Sequence, residues 1–366
     1  MNTDRTTGKA SGRCLRLSIG VDRRLSAVDH VRRREAGISI VELMVSLTIG
    51  LMLLTTLIGV FTTASAARGE LERVSRQTEN GRYAVELLSD DLRVAGYYGE
   101  VNVGALPLPA ALPDPCSTDP AQWAGAMPLH VQGYDAGVPA PACLPASARP
   151  NTDIVVVRRA RTCAAGSPAC EPPTAGRPYL QASLCSTEMT SYVVGLMGAA
   201  AFPLTRKDCA TLSALREYVV HVYFLGTETR AGRTIPLLKR LELTGPSLIE
   251  VSLVEGIEEI NIEYGMDHDG NGQPDAYTAD PTSYTYPGCT TCTPTNNWAN
   301  VVTAQLYVLA RATDPSPGHT DTKTYTLGRN AAGNAYTVGP MNDGYRRHVY
   351  PALVRIVNPA GRKEAP

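Results

Sequence analysis

Residues 32–67 set the first limit on what this chain can fold into. Arg32, Arg33 and Arg34 precede Gly37, and the 30 residues that follow, ISIVELMVSLTIGLMLLTTLIGVFTTASAA (38–67), carry one charge, Glu42. A helix of roughly 20 apolar residues spans a bilayer, so the segment predicts a single transmembrane helix over about 38–67. Basic residues mark the cytoplasmic end of such a helix. Residues 1–37 hold nine Lys and Arg against four Asp and Glu in a chain of net charge −1. The basic excess therefore sits on one side of the span, and everything after residue 67 is expected on the other. A near-neutral chain also lacks the basic footprint of direct nucleic-acid binding.

Two features of the segment need an account: the glycine before it and the acid within it. Glu42 is the fifth residue after Gly37 and lies only about 6 Å into the helix. In a lone helix its carboxylate can reach the interface, but in a packed bundle of such helices it would be buried and would need a cation. A cleavable secretory signal is a weaker fit. TASAAR offers an A-x-A site at Ala64 and Ala66, but the apolar run before it is far longer than the usual ~7–15 residues. An ordinary signal anchor explains the apolar run but gives the glycine and the acid no role.

The arrangement of basic residues, Gly37, an apolar run and Glu42 at its fifth position resembles the class III signal of type IV prepilins. Ile38 stands where that family more often has Phe or Met. The resemblance implies that a prepilin peptidase cuts between Gly37 and Ile38. It implies that Ile38 is N-methylated, and that Glu42 pairs with the new α-amine of a neighbouring subunit during assembly. The leader, 1–37, would be long for this class. An alternative translation start at Val31, read from a GTG codon, would leave the short leader VRRREAG.

After residue 67 a helical period continues at Leu71, Val74, Thr78, Gly81, Val85, Leu88, Leu92 and Ala95. One helix is expected over 38–94, its second half amphipathic and docked on a globular domain, 95–366. AGYYGE (95–100) ends it. Residues 101–152, rich in Pro, Ala and Gly, read as a long loop. Strand patterns follow at 153–157, 191–197, 216–226, 234–245, 247–267, 301–311 and 346–359. The expected fold class is α+β: a long N-terminal helix packed on an antiparallel sheet, with long disulfide-stapled loops. Cys14 precedes the span, and Cys116, Cys143, Cys163, Cys170, Cys185, Cys209, Cys289 and Cys292 follow it. An even number beyond a membrane span reads as disulfides in an oxidising compartment. Eight cysteines allow 105 connectivities; near-neighbour pairing is the simplest expectation.

ENGRYAVELLSDDLRVAGYYGE (79–100) resembles the region after the membrane helix in the PilW family of type IV pilus minor pilins. LVEGIEEINIEYGMDHDGNGQPDAY, NNWANVVTAQLYVLAR and RRHVYPALVRIVNPAGR resemble the same family, whereas about 101–245 resembles nothing recognised. The resemblance implies an inner-membrane prepilin with its C-terminal domain in the periplasm, later found at the pilus tip. There it would help to initiate assembly, underlying twitching motility. The implied partners are other minor pilins, the major pilin, the prepilin peptidase and a PilY-type tip adhesin. A J-type pseudopilin of type II secretion is an alternative of the same kind, and a membrane-anchored periplasmic enzyme is one of another kind.

DHDGNGQPD places Asp267, Asp269, Asn271, the Gln273 carbonyl and Asp275 at positions 1, 3, 5, 7 and 9 of an EF-hand-type loop, with Gly272 at position 6. Such a loop could hold a structural calcium ion, although position 12 is Thr278 rather than Glu, and Asp, Asn and Gly are also ordinary turn residues. CTTC (289–292) reads as a structural disulfide in a loop rather than a redox pair, because TPTNNW carries no helix signal. The six histidines are scattered, no nucleophile motif or P-loop occurs, and no catalytic constellation or required cofactor is expected.

Overall fold

The computed structural model describes residues 37–364. The leader, Cys14 and the alternative start at Val31 lie outside the described residues, apart from Gly37 itself. Helix α1 runs from Ile40 to Arg93, and the chain divides between Thr62 and Thr63 into two units.

The first unit is apolar on every face: Ile40, Val41, Leu43 and Ile49 point in different directions and are all exposed. A helix apolar all round needs apolar surroundings, and this one is long and apolar enough to cross a membrane. Its hydroxyls are satisfied within the helix. Thr48, Thr55 and Thr56 donate to carbonyls three residues earlier, at 2.8–2.9 Å. This is how a polar side chain is accommodated where no water is available.

In the second unit the packed face of α1 is Gln77, Gly81, Ala84, Leu88, Ser89, Asp91 and Leu92, continued by Ala95. The face expected from the sequence is displaced at its start. Leu71 is 71% exposed and Val74 is also exposed, so packing begins at Gln77, whose Nε2 donates to the Ala310 carbonyl at 2.9 Å. Gly81 sets the approach. A Cβ there would lie 2.2 Å from the ring of Tyr350, so the missing side chain lets the helix close onto the sheet.

Among the described residues thirteen strands follow, all paired antiparallel. The first sheet contains β1 (Val131–Tyr134), β2 (Ile154–Ala160), β3 (Pro178–Ala182), β4 (Tyr192–Leu196), β5 (Leu215–Arg230), β6 (Arg233–Leu243) and β7 (Leu248–Glu255). Its order is β1-β2-β5-β3-β4, with β6 paired to the distal half of β5 and β7 to β6. The second sheet has the order β13-β10-β8-β9, formed by β8 (Ile257–Met266), β9 (Ala276–Thr278), β10 (Val301–Arg311) and β13 (Arg347–Arg355). A separate hairpin joins β11 (Tyr325–Arg329) and β12 (Ala335–Val338).

Side chains alternate across the first sheet, as the period of two requires. Val155, Val157, Tyr223 and Leu225 face α1 and the second sheet. Ile154, Val156, Val220, Val222 and Phe224 face a second core with Tyr98, Trp123 and Met127. The chain passes between the sheets at Gly256. Its N–H donates to the Pro236 carbonyl of β6 at 2.8 Å, and its carbonyl accepts from Arg311 of β10 at 2.7 Å. Its φ is +77°, and a Cβ would lie 2.5 Å from the Arg311 carbonyl oxygen, so only glycine fits both the conformation and the space.

Regular elements also form where the sequence pattern predicts loop. Helix α2 (Pro120–Ala126) and β1 lie inside the stretch 101–152; Asp119 caps α2, accepting from Ala121 N–H at 3.0 Å. The C-terminal strand stops at Arg355, and α4 (Val357–Glu364) follows it. Four cysteine pairs are at disulfide distance: Cys116–Cys143, Cys163–Cys170, Cys185–Cys209 and Cys289–Cys292, with Cα separations of 5.0–5.9 Å. Each pair joins near neighbours in sequence and staples one excursion from the sheets.

Gly81→Ala is expected to lower stability by roughly 1–2 kcal/mol through overpacking, despite alanine's better helix propensity. Adding Tyr350→Ala should remove that penalty; chemical denaturation of the four members of the cycle measures it.

Candidate functional site

The chemistry suggested by the sequence falls at two separate places, and a third was not foreseen. At the start of α1, Gly37, Ile38 and Ser39 are non-helical, and nothing among the described residues lies within 4 Å of a Cβ built on Gly37. Ser39 caps the helix: its Oγ accepts from Val41 N–H at 3.3 Å, and its carbonyl accepts from Leu43 N–H at 3.0 Å. Glu42 is thus the third helical residue, and SIVE has the spacing of a capping box, a signal the sequence reading missed. The helix dipole favours an acid there. The Glu42 carboxylate is exposed; its residue takes part in hydrogen bonding through the main-chain carbonyl, which accepts from Ser46 Oγ.

The second place is the loop between β8 and β9. Asp267, Asp269 and Asp275 each bring one carboxylate oxygen within 4.8 Å of the others. Asp267 is buried and organises the turn: Gly270 and Asn271 N–H donate to its Oδ1 at 2.7 and 3.2 Å, and Gly272 N–H to its Oδ2 at 2.8 Å. Asn271 Oδ1 accepts from Gln273 N–H at 2.8 Å, and Asp275 Oδ2 accepts from His268 N–H at 2.6 Å. Lys363 of α4 places Nζ 3.3 Å from Asp267 Oδ2. Burial pushes the Asp267 carboxyl up, but the Gly272 and Gly270 N–H donors and Lys363 outweigh it and hold it below the usual range. The donor set suits a hard cation. Lys363 supplies one positive charge already, and Thr278, at position 12, lies in β9.

CTTC differs in context from its expected reading. A short helix, α3 (Pro294–Ala299), follows it, with Thr293 Oγ1 accepting from Asn296 N–H at 3.2 Å. Its work is packing: Trp298 is fully buried and donates Nε1 to Thr282 Oγ1 at 3.0 Å, and Cys289 and Cys292 are bonded to each other.

The unforeseen site is Asp91, buried where α1 meets the first sheet. It accepts from Arg159 Nε at 2.6 Å, Tyr223 OH at 2.7 Å and His221 Nδ1 at 2.6 Å. Burial pushes its carboxyl up, but the His221 ring and the Arg159 guanidinium overcome this and hold it well below the carboxylate range. All three partners come from β2 and β5, some 70 to 130 residues away in sequence, so no local pattern announces them.

The described residues thus combine a helix apolar enough to span a membrane with a disulfide-stapled antiparallel β domain. Residues 222–358, from within β5 to the start of α4, match the family model of PilW, the type IV pilus-assembly protein W. That stretch is similar to the PilW family, and the match supports a type IV pilus assembly-related protein. No curated protein and no solved structure matches it.

The buried acids give the domain a pH signature. Burial, reinforced by Glu258 and opposed by Arg149, pushes Glu259 up to about 7. Burial and neighbouring Asp135 push Asp153 well above its ordinary value. A carboxyl raised in the folded state binds its proton more tightly there than when unfolded, so its stabilising effect is lost as pH rises through the folded value. His130, lowered by burial to about 4, acts oppositely: stability grows as pH rises from about 4 to about 6.5. Denaturation free energy should therefore fall by on the order of 1 kcal/mol between about pH 6 and pH 8. Glu259→Gln should flatten that fall.

Proposed function

We propose that this protein is a minor pilin that helps to initiate type IV pilus assembly and takes a place at the pilus tip. It acts as an assembly component, without catalysis of its own. It is made as an inner-membrane precursor with its β domain in the periplasm, cut between Gly37 and Ile38, and N-methylated on Ile38. The observation that carries this reading is the junction itself. Gly37 and Ile38 precede the capped helix in non-helical, exposed backbone, as a peptidase substrate must, and the PilW match follows downstream. Cleavage frees a cationic α-amine beside the carboxylate of Glu42. Between packed apolar helices such a charge pair is far stronger than in water, and it would register one subunit against the next. The partners proposed are the major pilin, other minor pilins and a PilY-type tip adhesin.

Coexpression with a prepilin peptidase should convert the wild-type chain to a form whose N-terminal residue is Ile38. Gly37→Ala should remain unprocessed, and Glu42→Val should be processed but fail to enter pili. Mass spectrometry and immunogold labelling read these outcomes; an uncut wild-type chain would sink the proposal.

The convergence of Asp267, Asp269 and Asp275 favours a second element, a structural calcium ion in the β8–β9 loop coordinated also by Asn271 and the Gln273 carbonyl. Calcium at roughly millimolar concentration should raise the melting temperature of the wild type relative to chelator. Asp269→Asn with Asp275→Asn should abolish the rise. An unchanged melting temperature in the wild type would retire the ion.

A further inference from the structure

A cleft of about 310 Å³ lies between α1 and the start of β13. Its floor is fixed by interactions already satisfied. Arg347 is buried and donates to Asp321 at 2.9 Å, to Asp343 at 2.6 Å and to Glu258. Asp321, the one carboxylate among the lining residues, also accepts from Tyr325 OH at 3.0 and 3.1 Å. The acceptor capacity of the cleft is therefore largely engaged.

The rim is the reverse. Arg82, His319, Lys323, Arg346 and His348 line it. Arg346 is engaged by Glu70. Among the described residues, no carboxylate pairs with Arg82 or Lys323, and the His319 and His348 rings make no hydrogen bond, although His348 stacks edge-on against Tyr350. Several exposed arginines elsewhere on the domain meet acids: Arg73 with Glu70, Arg76 with Glu72, Arg93 with Asp90, Arg233 with Asp314. Two cations and two imidazoles thus face one space whose single lining carboxylate, Asp321, is already engaged by Arg347 and Tyr325.

Charge and donor count select the ligand. Arg82 and Lys323 together balance a dianion, and one carboxylate would leave one of them uncompensated. A phosphate monoester carries about −1.5 to −2 at neutral pH and presents three strong acceptor oxygens. Arginine's planar fork binds such oxygens two at a time, while lysine serves as a point charge. We infer that this cleft binds a phosphate dianion, free or as a monoester, between Arg82 and Lys323, with His319 and His348 as further hydrogen-bond partners. The inference concerns the unassembled chain, so it stands or falls apart from the pilus reading.

The test is titration calorimetry on the full chain in neutral detergent micelles, at constant ionic strength, with inorganic phosphate against chloride. Glycerol phosphate, the headgroup of a phosphomonoester lipid, forms a parallel arm. Tighter binding of the ester assigns the site to a headgroup, and equal or weaker binding assigns it to the free anion. Arg82→Ala and Lys323→Ala should each weaken binding roughly tenfold, about 1.4 kcal/mol. Arg76→Ala, an exposed arginine outside the cleft, should leave binding unchanged. Both rim side chains are exposed, and an unaltered melting curve shows that the variants remain folded. Absence of phosphate binding, its survival in the double variant, or an equal loss in Arg76→Ala overturns the assignment. So does tighter binding of an acidic peptide, which would give the cleft to protein carboxylates.

Discussion

Asp91 is the group on which the rest of the β domain depends. A carboxylate sealed between a helix and a sheet is unfavourable unless charge and hydrogen bonds replace the water it loses. Arg159, His221 and Tyr223 do so from two adjacent strands, and Arg240 in turn donates to the Tyr223 hydroxyl at 3.1 Å. Such a network can be met in only one rotation of the helix. Apolar contacts at Ala84, Leu88 and Leu92 hold α1 against the sheet, but they would tolerate slippage that the directional bonds to Asp91 do not.

Gly81 and Gly256 act on the same arrangement by omission. The first removes a side chain where Tyr350 needs room, and the second allows a conformation and a close approach that any Cβ would block. Between them they place β13 and the β7–β8 junction within reach of the helix. The PilW match spans both sheets, so the family's signature lies in the part of the chain that this packing organises.

Much of this was legible in sequence because it rests on local pattern. The alternation VVTAQLYVLAR gives β10 at its observed limits, and the long periodic helix was visible as well. Short elements were not. Strands β1, β3 and β9 and the β11–β12 hairpin have five residues or fewer, too few to show a period. Helices α2 and α3 are one to two turns long, and their only local signal is a capping residue followed by proline, Asp119-Pro120 and Thr293-Pro294. The docked face of α1 was misplaced at its start because hydrophobicity favours Leu71 and Val74, whereas burial is decided by where the sheet begins. Asp91 could not be read at all, since its partners meet it only in three dimensions.

The first part of α1 keeps every threonine hydroxyl described here bonded to its own backbone. A helix so constituted asks nothing polar of its surroundings, and exchanging lipid tails for the apolar sides of other helices would change its solvation free energy little. The difference between those two environments is then registered almost wholly by Glu42. One carboxylate near the helix start can decide which surroundings the segment prefers, leaving the remaining turns free to pack without specificity.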